Sequence, residues 1–194
     1  MPREKLFDLD DAIAGAQKVF WAKGYEATSL ADLTEGMGIN KGSLYNAFGS
    51  KKALFIRALL KYDLDNRQAT LKQLAAIDDP VVVLTKLFDG VIAESLADSE
   101  HKGCLMINTA LDLPNHGEDI RHMVTDALGD FEFFFRRLIV AGQKSGKISK
   151  DVKARQTAKS LLALVVGLRV LARGVFDIAS LRAIKKDALR LITG

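Results

Sequence analysis

The 194-residue chain has a single cysteine, Cys104, and only three prolines. One thiol excludes an intrachain disulfide and a four-cysteine zinc site. Scarce proline, with no Gly- or Ser-rich tract, leaves no stretch that reads as a linker, a collagen-like repeat or low-complexity chain. Long hydrophobic runs are missing too. The most apolar, LLALVVGLRVL from Leu161 to Leu171, contains Arg169 and has eleven residues. A membrane-spanning helix needs roughly 20. The opening MPREKLFDLDD has no apolar core of a secretory signal. The expected location is therefore cytoplasmic, without a membrane partner.

Charge of one sign is missing where a nucleic-acid partner would most need it. The net charge is +4, yet residues 1–52 hold seven Lys/Arg against seven Asp/Glu. Any contact with an anionic partner near the N-terminus must come from local placement of cations, not from bulk charge. Signatures of catalysis are absent as well. There is no phosphate loop, no G-x-S-x-G, no H-E-x-x-H and no E-x-x-H pair for a di-iron bundle.

What remains is helical. A first helix carries Ile13, Ala16 and Phe20 at helical spacing, with Asp10 or Asp11 as its cap and Gly24 as its stop. Ser29 opens a second, and Asp32 three residues later makes a variant capping box. Leu30, Leu33 and Met37 face inward and Gly38 ends it. Asn40 caps a third helix with Leu44 and Phe48 one turn apart. Ser50 caps a fourth, expected to run to about Ile77. Further helices are expected at about 80–98, 103–113, 117–144, 150–173 and 178–192.

The spacing of the second and third helices, joined by Gly38-Ile39-Asn40-Lys41, is that of a helix-turn-helix. In such a unit the second helix enters the major groove of DNA. The outward positions of INKGSLYNAF fit that use. Gly42 and Ser43 allow close approach, Asn40, Lys41, Ser43 and Asn46 offer hydrogen-bonding groups, and Tyr45 can set its hydroxyl on a phosphate. Lys51 and Lys52 stand in the first turn of the fourth helix, where the helix dipole disfavours cations. A helix N-terminus with two lysines is an anion site. The other reading of residues 29–54 is a helical corner of an all-α core with solvated lysines.

The stretch TSLADLTEGMGINKGSLYNAFGSKKAL, Thr28 to Leu54, resembles the DNA-binding domain of the TetR family of transcriptional regulators. Gly38, Lys41-Gly42-Ser43-Leu44-Tyr45, Phe48 and Ser50-Lys51 match the family pattern, and Leu33-Thr34 stands where Ile-Ala is usual. The resemblance implies an all-α chain. Residues 1–50 would be a three-helix DNA-binding domain and residues 51–194 an effector-binding and dimerisation domain. It further implies a homodimeric repressor, released by a small effector from an inverted-repeat operator in double-stranded DNA. By carry-over, Lys41, Ser43 and Tyr45 lie on the recognition helix, Lys51 contacts phosphate, and Thr28 and Ser29 approach the DNA backbone.

The rest of the chain supplies candidates for dimer and sensor. The helix around 161–171 is apolar nearly all round, which calls for burial on more than one side. With the stripe of Ile178, Leu181, Ile184, Ala188 and Leu191, it reads as half of an intersubunit bundle or as closure of the monomer core. The segment GCLMINTALDL at 103–113 resembles a segment in a TetR subgroup, some of whose members sense electrophiles, oxidants or metals. Cys104, following His101 and Lys102 at a helix start, is a reactive thiol or a small buried hydrophobe. Phe88, Ile92, Met106 and Phe134, with Asn108 as a polar group, line an apolar effector pocket or fill core. His101, His116 and His122 with nearby acids fit no zinc spacing, so neither metal nor cofactor is expected. The alternative functions are a helical interaction module without DNA binding and a small helical enzyme.

Overall fold

The computed structural model describes residues 7–193. Residues 1–6, part of the expected N-terminal domain, and Gly194 lie outside the described residues. Among the described residues there are ten α-helices and no strand. They are α1 (Leu9–Lys23), α2 (Leu30–Met37), α3 (Lys41–Phe48), α4 (Lys51–Asp63), α5 (Ala69–Leu74), α6 (Pro80–Ala97), α7 (Leu105–Leu111), α8 (Glu118–Lys144), α9 (Ala154–Leu171) and α10 (Ile178–Thr193).

Local chemistry explains most boundaries. α1 is capped by Asp8, not by Asp10 or Asp11. The Asp8 carboxylate accepts from both of their backbone amides, at 2.7 and 3.1 Å. The later two carboxylates sit in the first turn, where negative charge suits the helix dipole. Gly24 stops the helix at φ 79°, a backbone region that favours glycine. Pro80 opens α6 behind an Asp79 cap. The fourth helix departs from the expected single run to Ile77. After Asp63 the chain makes a π-helical turn over Leu64–Gln68 before α5 begins. Asp63, buried, takes Arg67 Nε at 2.5 Å, Arg67 Nη2 at 2.7 Å and Gln68 Nε2 at 2.8 Å. Bonds from positions four and five residues on hold the wider turn.

The chain packs as two compact units. Among the described residues, one comprises 7–68 with 104–115, the other 69–103 with 116–193. The functional division expected at 50/51 falls within the first of these, at the Ser50 cap of α4. Phe20, Leu33, Leu44, Leu54, Phe55 and Leu59 fill the core of the first unit. α1 and α2 meet there at bare backbone. A Cβ on Gly15 would lie 2.4 Å from the Gly36 carbonyl oxygen, and one on Gly36 would lie 2.3 Å from Val19 Cγ2.

The core of the second unit is built from α6, α8, α9 and α10, with Leu84, Phe88, Phe135, Ile139, Leu161, Val165, Leu168 and Leu181 buried. α9 buries one full stripe, Ala158, Leu161, Val165 and Leu168, and leaves Leu162, Leu164, Val166, Val170 and Leu171 half-buried. The FEFFF run divides as its spacing requires. Phe135 is fully buried, Phe131 and Phe134 are half-buried against it, and Phe133 is exposed beside Arg137. Among the described residues, no helix is long and apolar enough to cross a membrane, and no three His, Cys, Asp or Glu side chains are placed to hold a metal.

Candidate nucleic-acid interface

α2 and α3 each begin at a side-chain cap. Ser29 Oγ accepts from the Asp32 amide at 3.1 Å, and the Asp32 carboxylate accepts from the Ser29 amide and hydroxyl, both at 2.8 Å. This is the reciprocal capping box, with aspartate in the glutamate position. Asp32 also accepts from Lys23 Nζ at 2.5 Å. That bond, then the two from Ser29, holds the Asp32 carboxyl well below the usual carboxylate range. Gly38 leaves α2 in the left-handed conformation, φ 65°, and the Ile39 amide returns to Thr34 O at 3.1 Å.

α3 then starts at Asn40, whose Oδ1 accepts from the Ser43 amide at 2.8 Å. Leu44 and Phe48 are buried, which commits the opposite side of this eight-residue helix to solvent. Lys41, Gly42, Tyr45 and Asn46 are exposed there and Ser43 is half-buried. Gly42 has a second reason to be glycine. A Cβ at that position would stand 3.3 Å from the Asn40 cap oxygen, tighter than ordinary contact. The exposed face is therefore narrow, polar and low, and it presents one cation and one phenol.

The flanks differ from the sequence-based expectation in one respect. Thr28 is buried, and its hydroxyl donates to Gly24 O at 2.6 Å. Its side chain thus holds the α1–α2 connection and is not offered to solvent, whereas Ser29 is exposed. Ser50 caps α4 by accepting from the Ala53 amide at 3.0 Å, and no acid stands in the first turn of α4. Lys51, half-buried, donates to Glu26 O at 3.4 Å and lies 4.6 Å from the centre of the Tyr25 ring. Arg57 lies over Phe48 at 5.5 Å. The sequence reading passed over Tyr25, Gly15 and Gly36, since an aromatic or a small residue between helices carries no periodic signal.

The six effector candidates fall in different units. Cys104, Met106 and Asn108 belong to α7 and its start, and Phe88, Ile92 and Phe134 to α6 and α8. Cys104 is the half-buried residue preceding α7 and makes no side-chain cap bond. Met106, Phe88 and Ile92 are buried, Asn108 and Phe134 half-buried.

Taken together, two capped helices, a left-handed glycine between them and a bare polar face on the second define a helix-turn-helix DNA-binding protein. The comparison with known proteins is specific. Residues 12–58 match the family described as bacterial regulatory proteins, tetR family, and residues 80–185 match the tetracyclin repressor-like C-terminal domain. The chain is 30% identical over 191 residues to the HTH-type transcriptional repressor ComR of Escherichia coli K12, covering 97% of this chain and 90% of ComR. It is 29% identical over 149 residues to the repressor DhaR of Mycobacterium sp. strain GP1, covering 75% and 72% of the two chains. Among solved structures it resembles a cysteine mutant of the TetR family regulator CifR complexed with a 26-bp double-strand operator, with TM-score 0.84, 32% identity and 98% of each chain covered. The chain belongs to the TetR family and is a DNA-binding transcriptional regulator, not an enzyme.

Proposed function

We propose that this regulator is a homodimeric repressor that sits on an inverted-repeat operator and leaves it when a small effector or reactive species binds. The observation that carries the DNA reading is the exposed face of α3, where Lys41, Gly42, Tyr45 and Asn46 stand over a fully buried Leu44. Asn40 and Ser43 extend that face, Ser29 stands exposed at the start of α2, and Lys51 adds a phosphate contact. Thr28 serves by fixing the turn. Repression is supported by the relatives named as repressors, ComR and DhaR.

The dimer is supported by α9 and α10. Leu164, Val166 and Val170 on α9 and Ile184 on α10 stay half-buried within one chain, and Ile178 and Leu191 are exposed. A second copy covering these faces suits a two-fold DNA site. For release, Phe88, Ile92 and Phe134 of the second unit and Cys104, Met106 and Asn108 of the first are the proposed responding residues.

Selection of bound duplexes from a random pool tests the first part. Enrichment of an inverted repeat is expected, and recovery of no duplex above background would refute it. Because Cys104 is the chain's one thiol, a gel shift with mild peroxide separates the two kinds of effector. Release from wild type but not from Cys104→Ser assigns a reactive species, and release from neither assigns a non-covalent ligand.

A further inference from the structure

We propose that Tyr25 is a positioning residue for DNA binding: the face of its ring holds the Lys51 ammonium ready for a phosphate. The proposal rests on the reading above that Lys51 contacts the DNA backbone. Tyr25 follows the Gly24 stop of α1, in the turn that leads into α2. Its ring stacks on Phe20 with centroids 6.2 Å apart and leans on Phe55 at 4.9 Å. Phe20 and Phe55 are fully buried and meet edge to face at 4.9 Å. The ring is therefore anchored in the core of the unit on one side. Lys51 Nζ lies over it at 4.6 Å, within the range of a cation–π attraction, and reaches Glu26 O at 3.4 Å.

Lys51 needs such a support. It stands in the first turn of α4, where the helix dipole repels a cation and no carboxylate is present to offset it. A free lysine carries large rotamer freedom, which is lost when it pins to a phosphate. The Tyr25 face confines the ammonium beforehand. The aromatic ring holds a cation without supplying a carboxylate, so the charge stays available to the DNA. The long bond to Glu26 O is one that a phosphate oxygen can displace.

The test is a double-mutant cycle on binding to the random-sequence duplex pool and to a duplex enriched from it, as a function of salt. Lys51→Ala is expected to weaken both and to lower the salt slope by about one. Tyr25→Leu is expected to weaken binding about threefold with Lys51 present, the size of an exposed cation–π contact, and to have no effect in the Lys51→Ala background. Tyr25→Phe keeps the ring face and should bind as wild type. If Tyr25→Leu does not fold, a multiply fluorinated phenylalanine at position 25 retains the shape, strips the ring face of negative charge and should show the same coupling. Equal loss in both Lys51 backgrounds would make Tyr25 a packing residue and leave the Lys51 contact standing. No effect of Lys51→Ala on affinity or slope would overturn both.

Discussion

Asp32 joins two structural tasks in one carboxylate. It completes the capping box with Ser29 at the start of α2 and ties α2 to Lys23 at the end of α1. Its folded pKa lies below that of an unfolded aspartate, so the folded state gains from the ionised form. The gain is complete above about pH 5 and drains away as pH falls through the usual carboxylate range and below. Asp32→Asn should therefore lower the unfolding temperature at pH 7 and differ less from wild type in acid. A difference that does not narrow in acid would contradict this role. Thr28 gives a second prediction. Thr28→Val keeps the shape and removes the donor to Gly24 O, which should cost about 1 kcal/mol in denaturant unfolding. A variant as stable as wild type but weaker on DNA would place the Thr28 hydroxyl on the backbone phosphates instead.

The capped helices were the most legible elements, because each cap is a local pattern. Ser29 with Asp32, Asn40 three residues before Ser43, and Ser50 before Ala53 all make the bonds that their spacing implies. Asp8 was missed as the α1 cap because three carboxylates compete within four positions, and only the backbone conformation at Asp8 selects it. The π-helical turn after α4 was not legible. Its cause is a buried carboxylate held from positions four and five residues on, and Asp63, Arg67 and Gln68 read in sequence as ordinary polar residues on a helix surface. Asp63→Ala removes one partner of a buried ion pair and should destabilise the chain by about 3 kcal/mol in denaturant unfolding. Loss below about 0.5 kcal/mol, the scale of a surface pair, would show that the pair does not hold the turn. The glycine contact between α1 and α2 makes a sharper case. Gly15→Ala would push a methyl into the Gly36 carbonyl, where only backbone can yield. It should lower both the unfolding temperature and DNA affinity, because α2 sets the turn into α3. Wild-type values of both would mean that the two helices separate freely.

At the scale of the whole molecule, the match to the TetR family over both of its parts makes the chain a transcriptional regulator. Its N-terminal quarter carries no net charge, and Lys41 is exposed and Lys51 half-buried there, so the proposed contact with an anionic polymer rests on placement. The exposed polar face of α3, the proposed DNA-facing site, was legible in sequence because its demands are local: small residues, a cap and a cation at fixed spacing. The effector site was not, since Phe88, Ile92 and Phe134 read alike whether they fill a core or border a cavity. Sedimentation of the chain with a labelled inverted-repeat duplex, taken from the random pool, joins DNA binding to the two-fold assembly in one reading. Two chains per duplex are expected to bind together at low micromolar concentration, and Tyr45→Phe should weaken the complex while circular dichroism stays that of wild type. A single chain on the duplex, or equal affinity for the inverted repeat and for a scrambled duplex, would contradict a dimeric, sequence-reading regulator.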